Sequence, residues 1–96
     1  MTEIEGLYKE DNAYHNMTHA ADVMNSLVYL IECSDLMQYL SNIDLLSIVL
    51  GSLGHDVAHP GVTNRYLVNT QNPLTIKYND QSVLENMHCA VTFKTL

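Results

Sequence analysis

Four of the five histidines fall in two tight groups, His15 with His19 and His55 with His59. His15 and His19 are four residues apart, a spacing that places both rings on one side of a helix, a turn apart, and Asp22 follows three residues later on the same side. His55 and Asp56 are adjacent at the end of a long apolar run. A carboxylate there costs several kcal/mol unless it is paired or coordinates a metal. Imidazole suits Zn2+, and carboxylate oxygen adds to Zn2+ and also suits Mg2+ or Mn2+. Each group has a plainer reading: a solvated polar face for His15 and His19, and a helix C-cap at His55 with Asp56 opening a turn. Glu85 and His88 read from spacing as an exposed pair on the face away from Val83, Leu84 and Val91. No GxSxG nucleophile elbow and no GxxxxGK phosphate loop occurs. Neither Cys33 nor Cys89 lies in an electropositive, histidine-rich stretch that would favour a thiolate nucleophile.

Helices must position these side chains. Met17, Ala21, Met24, Val28 and Ile31 recur at three and four residues, which predicts an amphipathic helix over Tyr14 to Glu32, with the histidines off its apolar stripe. Asn42 to Leu53 is apolar on nearly all sides and reads as a central, buried helix capped by Asn42, with Asp44 in its first turn. The stretch Gly54 to Gly61 breaks the pattern. Thr63 or Asn64 can cap a short helix through Val68, and Asn72-Pro73 opens another to Tyr78. Asp80 can cap a last helix carrying Val83, Leu84, Met87 and Val91 on one face. No segment alternates as a strand, so the expected class is all-α.

The 96 residues suffice for one small domain, and 47% hydrophobic residues argue against disorder. Eleven Asp+Glu against four Lys+Arg give a net charge of −7, which repels phosphate backbones and argues against nucleic-acid binding. The same charge favours divalent cations. The start, MTEIEGLYKED, lacks the basic and apolar regions of a secretory signal, and no apolar run approaches the ~20 residues of a membrane span. The two cysteines form no disulfide pattern, so a reduced, cytoplasmic location is expected.

Three blocks carry a resemblance. Tyr14-His15-Asn16-Met17-Thr18-His19-Ala20-Ala21-Asp22-Val23 resembles the Y-H-N-x-x-H-A-x-D-V segment of the class I cyclic nucleotide phosphodiesterases. The run His55 to Tyr66 is similar to that family's H-D-[apolar]-x-H-x-[A/G]-x-x-[N/Q]-x-[apolar] signature, and Tyr78 to Asn86 resembles its Y-N-D-x-S-V-L-E-N segment. The blocks stand in the family's order, from about Asn12 to Leu96.

The resemblance implies a helical piece of a multi-helix HD-type metallohydrolase domain, with residues 1–96 forming one partial domain. It implies hydrolysis of cAMP or cGMP to 5′-nucleoside monophosphates by water activated on two metals. By position, His19, His55 and Asp56 resemble ligands of the first metal, Zn2+, and Asp56 also resembles the bridge to a second, Mg2+ or Mn2+. His15 resembles the general acid. His59 and Glu85 resemble residues that hold metal-associated waters, with Glu85 also orienting the His15 ring. Tyr14 and Asn16 resemble pocket residues near the phosphate. Regulatory domains often precede this domain in the family. Ala58 and Met87 stand where many members have an acidic residue and a histidine, and the family's downstream aspartate ligand, base-reading glutamine and aromatic clamp have no counterpart here. The residues also admit a generic HD-domain phosphohydrolase, or a non-catalytic helical module that keeps the motifs by ancestry.

Overall fold

Six α-helices and one 3₁₀ turn make up the computed structural model, which describes residues 2–96: α1 (Thr2–Gly6), α2 (Met17–Glu32), the 3₁₀ turn (Asp35–Tyr39), α3 (Asn42–Gly54), α4 (Asn64–Asn69), α5 (Pro73–Lys77) and α6 (Val83–Thr95). The described residues contain no strand, so the fold class is all-α, as the periodicity predicts.

Side-chain caps decide where the helices begin. Asn16 is extended, at φ −129° and ψ 178°, and its Oδ1 accepts the His19 N–H. It therefore starts α2 at Met17, so Tyr14 and His15 precede the helix instead of forming its first turn. Ser41, not Asn42, caps α3. Ser41 Oγ accepts the Asp44 N–H and Asp44 Oδ2 accepts the Ser41 N–H at 2.8 Å, a closed capping box. The Ser41 hydroxyl, and then its N–H, hold the Asp44 carboxyl below the usual carboxylate range. Thr63 caps α4, and Asn72 caps α5 with Pro73 at its first position.

The start of α6 differs from expectation. Asn79, Asp80 and Ser82 all lie in the left-handed region, and Ser82 stands at the helix N-cap with no side-chain cap bond. Asp80 is therefore not the cap. Asn64 supplies it from elsewhere in the chain: its Oδ1 accepts the Leu84 N–H at 2.8 Å.

Two apolar clusters carry the fold. Ile4, Tyr8, Ala20 and Val57 form one, with Met17 and Val91 packed against it. Leu67, Val83 and Leu84 form the other, joined by Val62, Leu74, Tyr78 and Met87. Val57 is fully buried, and burying a side chain of that size is worth about 1.5–3 kcal/mol. It thus pins the irregular loop after α3 between His55-Asp56 and His59. α3 itself is not central. It packs along α2 and meets α6 near its end, leaving Ile43 75% exposed and Leu46 exposed. An all-round apolar helix needs neighbours on every side, and here it has them on one.

Candidate metal centre

The end of α3, the start of α2 and the middle of α6 bring their polar side chains to Asp56. His19 Nε2 lies 3.3 Å from Asp56 Oδ2 and His55 Nε2 lies 3.1 Å from the same oxygen. Ligand atoms of His19, His55 and Asp56 all fall within 4.8 Å of one another. For Zn–N and Zn–O bonds near 2.0–2.1 Å, the edge of a ligand tetrahedron is roughly 3.3–3.4 Å. The two His–Asp separations lie at or just below that edge, so this donor set fits a small divalent cation.

The hydrogen bond behind His55 agrees. The Ser52 carbonyl accepts from His55 Nδ1. A neutral His55 ring therefore turns an Nε2 lone pair toward the carboxylate, and two acceptors at 3.1 Å need a positive charge between them, either a second proton or a cation. His55 is also the C-cap of α3, so the plainer reading and the cluster hold together in one residue.

His88 corrects the sequence reading. It is 4% exposed, not a surface residue, and its Nδ1 donates to the Val57 carbonyl at 2.7 Å. Its Nε2 faces Asp56 Oδ1 at 3.8 Å. Asp56, His59 and His88 form a second group of potential ligands on the other side of the carboxylate. The signal was in the spacing: His88 follows buried Leu84 by four residues and so shares its face.

His15 lies against His59, with ring centroids 3.8 Å apart and planes 4° from parallel. His59 is buried, and its Nδ1 accepts the Gly61 N–H at 2.9 Å. Burial first, then the imidazole of His15, hold His59 below the usual histidine range, which favours the neutral ring.

Glu85 is exposed, and both its carboxylate oxygens accept from Asn64 Nδ2, at 3.0 and 3.3 Å. That bond is the main reason its carboxyl sits below the usual range. The structure does not join Glu85 to the His15 ring by a hydrogen bond. In the sequence Asn64 offers itself only as a possible cap for α4, because nothing local signals a bond made twenty residues away.

A cavity of about 740 Å³ opens beside this cluster, bordered by His15, His55, Asp56, His59, Glu85 and His88 and by apolar residues of α3 and α6 such as Leu50 and Phe93. It has the size and mixed lining of a small-molecule site. Tyr14 and Asn16 do not line it. Tyr14 is 63% exposed and packs against the rings of His15 and His19. Asn16 spends its amide on structure, capping α2 and donating to the Asn12 carbonyl, and borders a separate cleft with Glu5, Tyr8 and Glu10. Tyr8, outside the motif blocks, braces the end of α3: its hydroxyl donates to the Leu53 carbonyl at 2.8 Å.

A family profile described as 3′5′-cyclic nucleotide phosphodiesterase matches residues 14–96. Over 93 residues, 97% of the chain, the sequence is 41% identical to the 3′,5′-cyclic-nucleotide phosphodiesterase regA of Dictyostelium discoideum and 46% identical to the 3′,5′-cyclic-AMP phosphodiesterase 4C of Mus musculus. It spans 12% and 14% of those relatives' lengths. The crystal structure of the phosphodiesterase domain of the RhoPDE fusion protein from the choanoflagellate Salpingoeca rosetta is similar at a TM-score of 0.93 and 34% identity, over 99% of this chain and 29% of that one. Because the match takes in every segment that feeds a histidine into the cluster, in one helical frame, the chain belongs to the 3′,5′-cyclic nucleotide phosphodiesterase family.

Proposed function

We propose that this chain is the metal-binding part of a phosphodiesterase that hydrolyses 3′,5′-cyclic nucleotides, cAMP or cGMP, to 5′-nucleoside monophosphates. The observation that carries the reading is the approach of His19 and His55 to one oxygen of Asp56 at ligand-edge distances. Two of the similar proteins bear cyclic-AMP phosphodiesterase names, which supports cAMP as a first substrate to assay.

His19 and His55 through Nε2, and Asp56 through Oδ2, would hold the first cation, Zn2+. Asp56 Oδ1, facing His88, would serve the second, Mg2+ or Mn2+. The chemistry such cations supply when bound is a water made nucleophilic at neutral pH and an offset for phosphate charge. His55 is oriented for this by the Ser52 carbonyl and His88 by the Val57 carbonyl. His15 borders the cavity and gives its proton to the departing 3′ oxygen, a task suited to an imidazole near neutral pH. His59, held below the usual histidine range by burial, stays neutral beside it. Glu85, held below the usual carboxylate range by Asn64, adds negative charge at the rim, where it would hold water beside the second cation.

The test is a zinc titration of the chelator-stripped chain. One ion per chain is expected, with His19→Ala and His55→Ala each lowering affinity about 100-fold or more, beyond the 10–100-fold typical of outer residues. His15→Ala should leave zinc affinity unchanged. Equal loss in all three variants would make His15 a ligand and remove the proton donor. A wild-type chain that binds no zinc would sink the metal-centre reading and favour a non-catalytic helical module. Turnover of cAMP and cGMP by the loaded chain is expected far below the ordinary ~1–10³ s⁻¹, because the cavity is open along the α3 and α6 faces.

A further inference from the structure

His15 and His59 both lie in irregular backbone, one before α2 and the other in the loop after α3. Their rings nevertheless stack at 3.8 Å between centroids, whereas ordinary aromatic pairs settle at roughly 4.5–7 Å. Something other than ring attraction holds the two backbones in register. One side chain touches both. The part-buried Asn12 amide nitrogen donates to the His15 carbonyl at 3.0 Å and to the His59 carbonyl at 2.9 Å, using both of its hydrogens. Its oxygen faces Gly61, where an added Cβ would come within 2.8 Å of Asn12 Oδ1 and where φ is +81°. The Asn12 backbone carbonyl in turn accepts from Asn16 Nδ2, and Asn16 Oδ1 accepts the His19 N–H. A single amide thus ties the two stacked histidines together and connects them to the start of the helix that carries His19. Asn12 lies outside the residues matched by the family profile.

We propose that Asn12 is a positioning residue that sets the face-to-face approach of the His15 and His59 rings. The consequence for catalysis rests on the reading of His15 as the proton donor; the clamp itself does not. Within the clamp, the amide fixes where the His15 ring stands over the cavity.

The experiment is nuclear magnetic resonance of the labelled, metal-free 96-residue chain. The wild type should show cross-ring Overhauser contacts between His15 and His59, with their carbon-bound ring protons displaced upfield by the stacked neighbour. Asn12→Asp keeps the shape and the oxygen toward Gly61 but replaces both donors with an acceptor. It should abolish the cross-ring contacts and lose most of the upfield displacement, while the helical circular dichroism and the His88 Nδ1–H signal stay as in the wild type. Asn12→Ala, which adds no charge, should do the same. Folded variants that keep the cross-ring contacts would overturn the proposal. So would a wild type without them, or the unfolding of both variants, which would make Asn12 a general stability residue. No readout uses substrate or metal, so a chain that shows the clamp but never hydrolyses cyclic nucleotide would sink the functional reading alone.

Discussion

At the scale of single residues, the site depends on groups that never face the cavity. Tyr8 is the clearest case. Its phenol is pushed up to about 12 from its usual 10.0, chiefly by burial, and its hydroxyl satisfies the Leu53 carbonyl at the end of α3. A raised phenol pKa means that the folded chain keeps its proton where the unfolded chain loses it. The associated stability is intact below pH 10 and is lost as pH rises from there through about 12. Alkaline unfolding followed by circular dichroism should therefore show stability falling across that window, and Tyr8→Phe should flatten the fall. At neutral pH the same variant leaves a buried carbonyl without its donor, at a cost of about 1–3 kcal/mol in denaturant melts. An unchanged alkaline profile in Tyr8→Phe would show that another group governs the window.

At the scale of elements, the join between α3 and α6 sets where His55 and Asp56 sit relative to His88. Gly54 makes that join close: a Cβ there would lie 2.5 Å from Thr92 Oγ1 and 2.8 Å from its Cγ2. Thr92 Oγ1 also donates to the Gly54 carbonyl at 3.2 Å. Gly54→Ala gains about 1 kcal/mol of helix propensity but overpacks a contact, which typically costs about 1–3 kcal/mol, so a net loss of up to about 2 kcal/mol is expected. Adding Thr92→Ala should restore most of it, and a double-mutant cycle by chemical denaturation reads the coupling directly. Strict additivity of the two changes would mean that the helices do not meet as described. Asn64 works at this scale too. By capping α6 and gripping Glu85 it links the signature loop to the helix that delivers His88.

At the scale of the whole molecule, the chain is longer than a compact domain of its size. Its radius of gyration is 15.0 Å and its extents are 46 × 27 × 22 Å, against about 12.5 Å for the radius of a typical globular chain of this length. The excess is the hairpin of α2, the 3₁₀ turn and α3, whose outer half belongs to neither apolar cluster. Hydrogen exchange should be fastest there, over residues 33–46, and slowest around Val57, Val83 and Leu84, since local opening follows the density of buried contacts. Uniform protection along α3 would contradict this picture. Exposed Ile43 and Leu46 on α3, and Phe93 at 77% exposure with Leu96 on and beyond α6, make apolar faces that should drive self-association with rising concentration, opposed by the net charge of −7. No helix among the described residues is long and apolar enough to cross a membrane.

A period of 3.6 and short capping side chains act over a few residues, so α2 to α6 and most of their breaks are legible in the sequence, whereas α1 and the 3₁₀ turn emerge only in the structure. Thr63, Asn72 and Pro73 work where local chemistry puts them. The closeness of His55 and Asp56 was legible because the two are adjacent, whereas His15 stands before α2 and stacks on His59 instead of sharing a helix face with His19. Tertiary structure alone decided what crosses the helices. Spacing puts His88 on the buried face of Leu84, but it could not show that the ring meets the Val57 carbonyl, that Glu85 binds Asn64, or that Asn64 and not Asp80 caps α6. Nor could it show that the apolar α3 lies at the surface of this chain, since burial depends on which neighbours are present. Asn12 and Tyr8 bear no motif, yet each closes a bond to backbone more than forty residues away. Such bonds form between carbonyls and side chains that only packing brings together, and a carbonyl looks the same in every residue of the sequence.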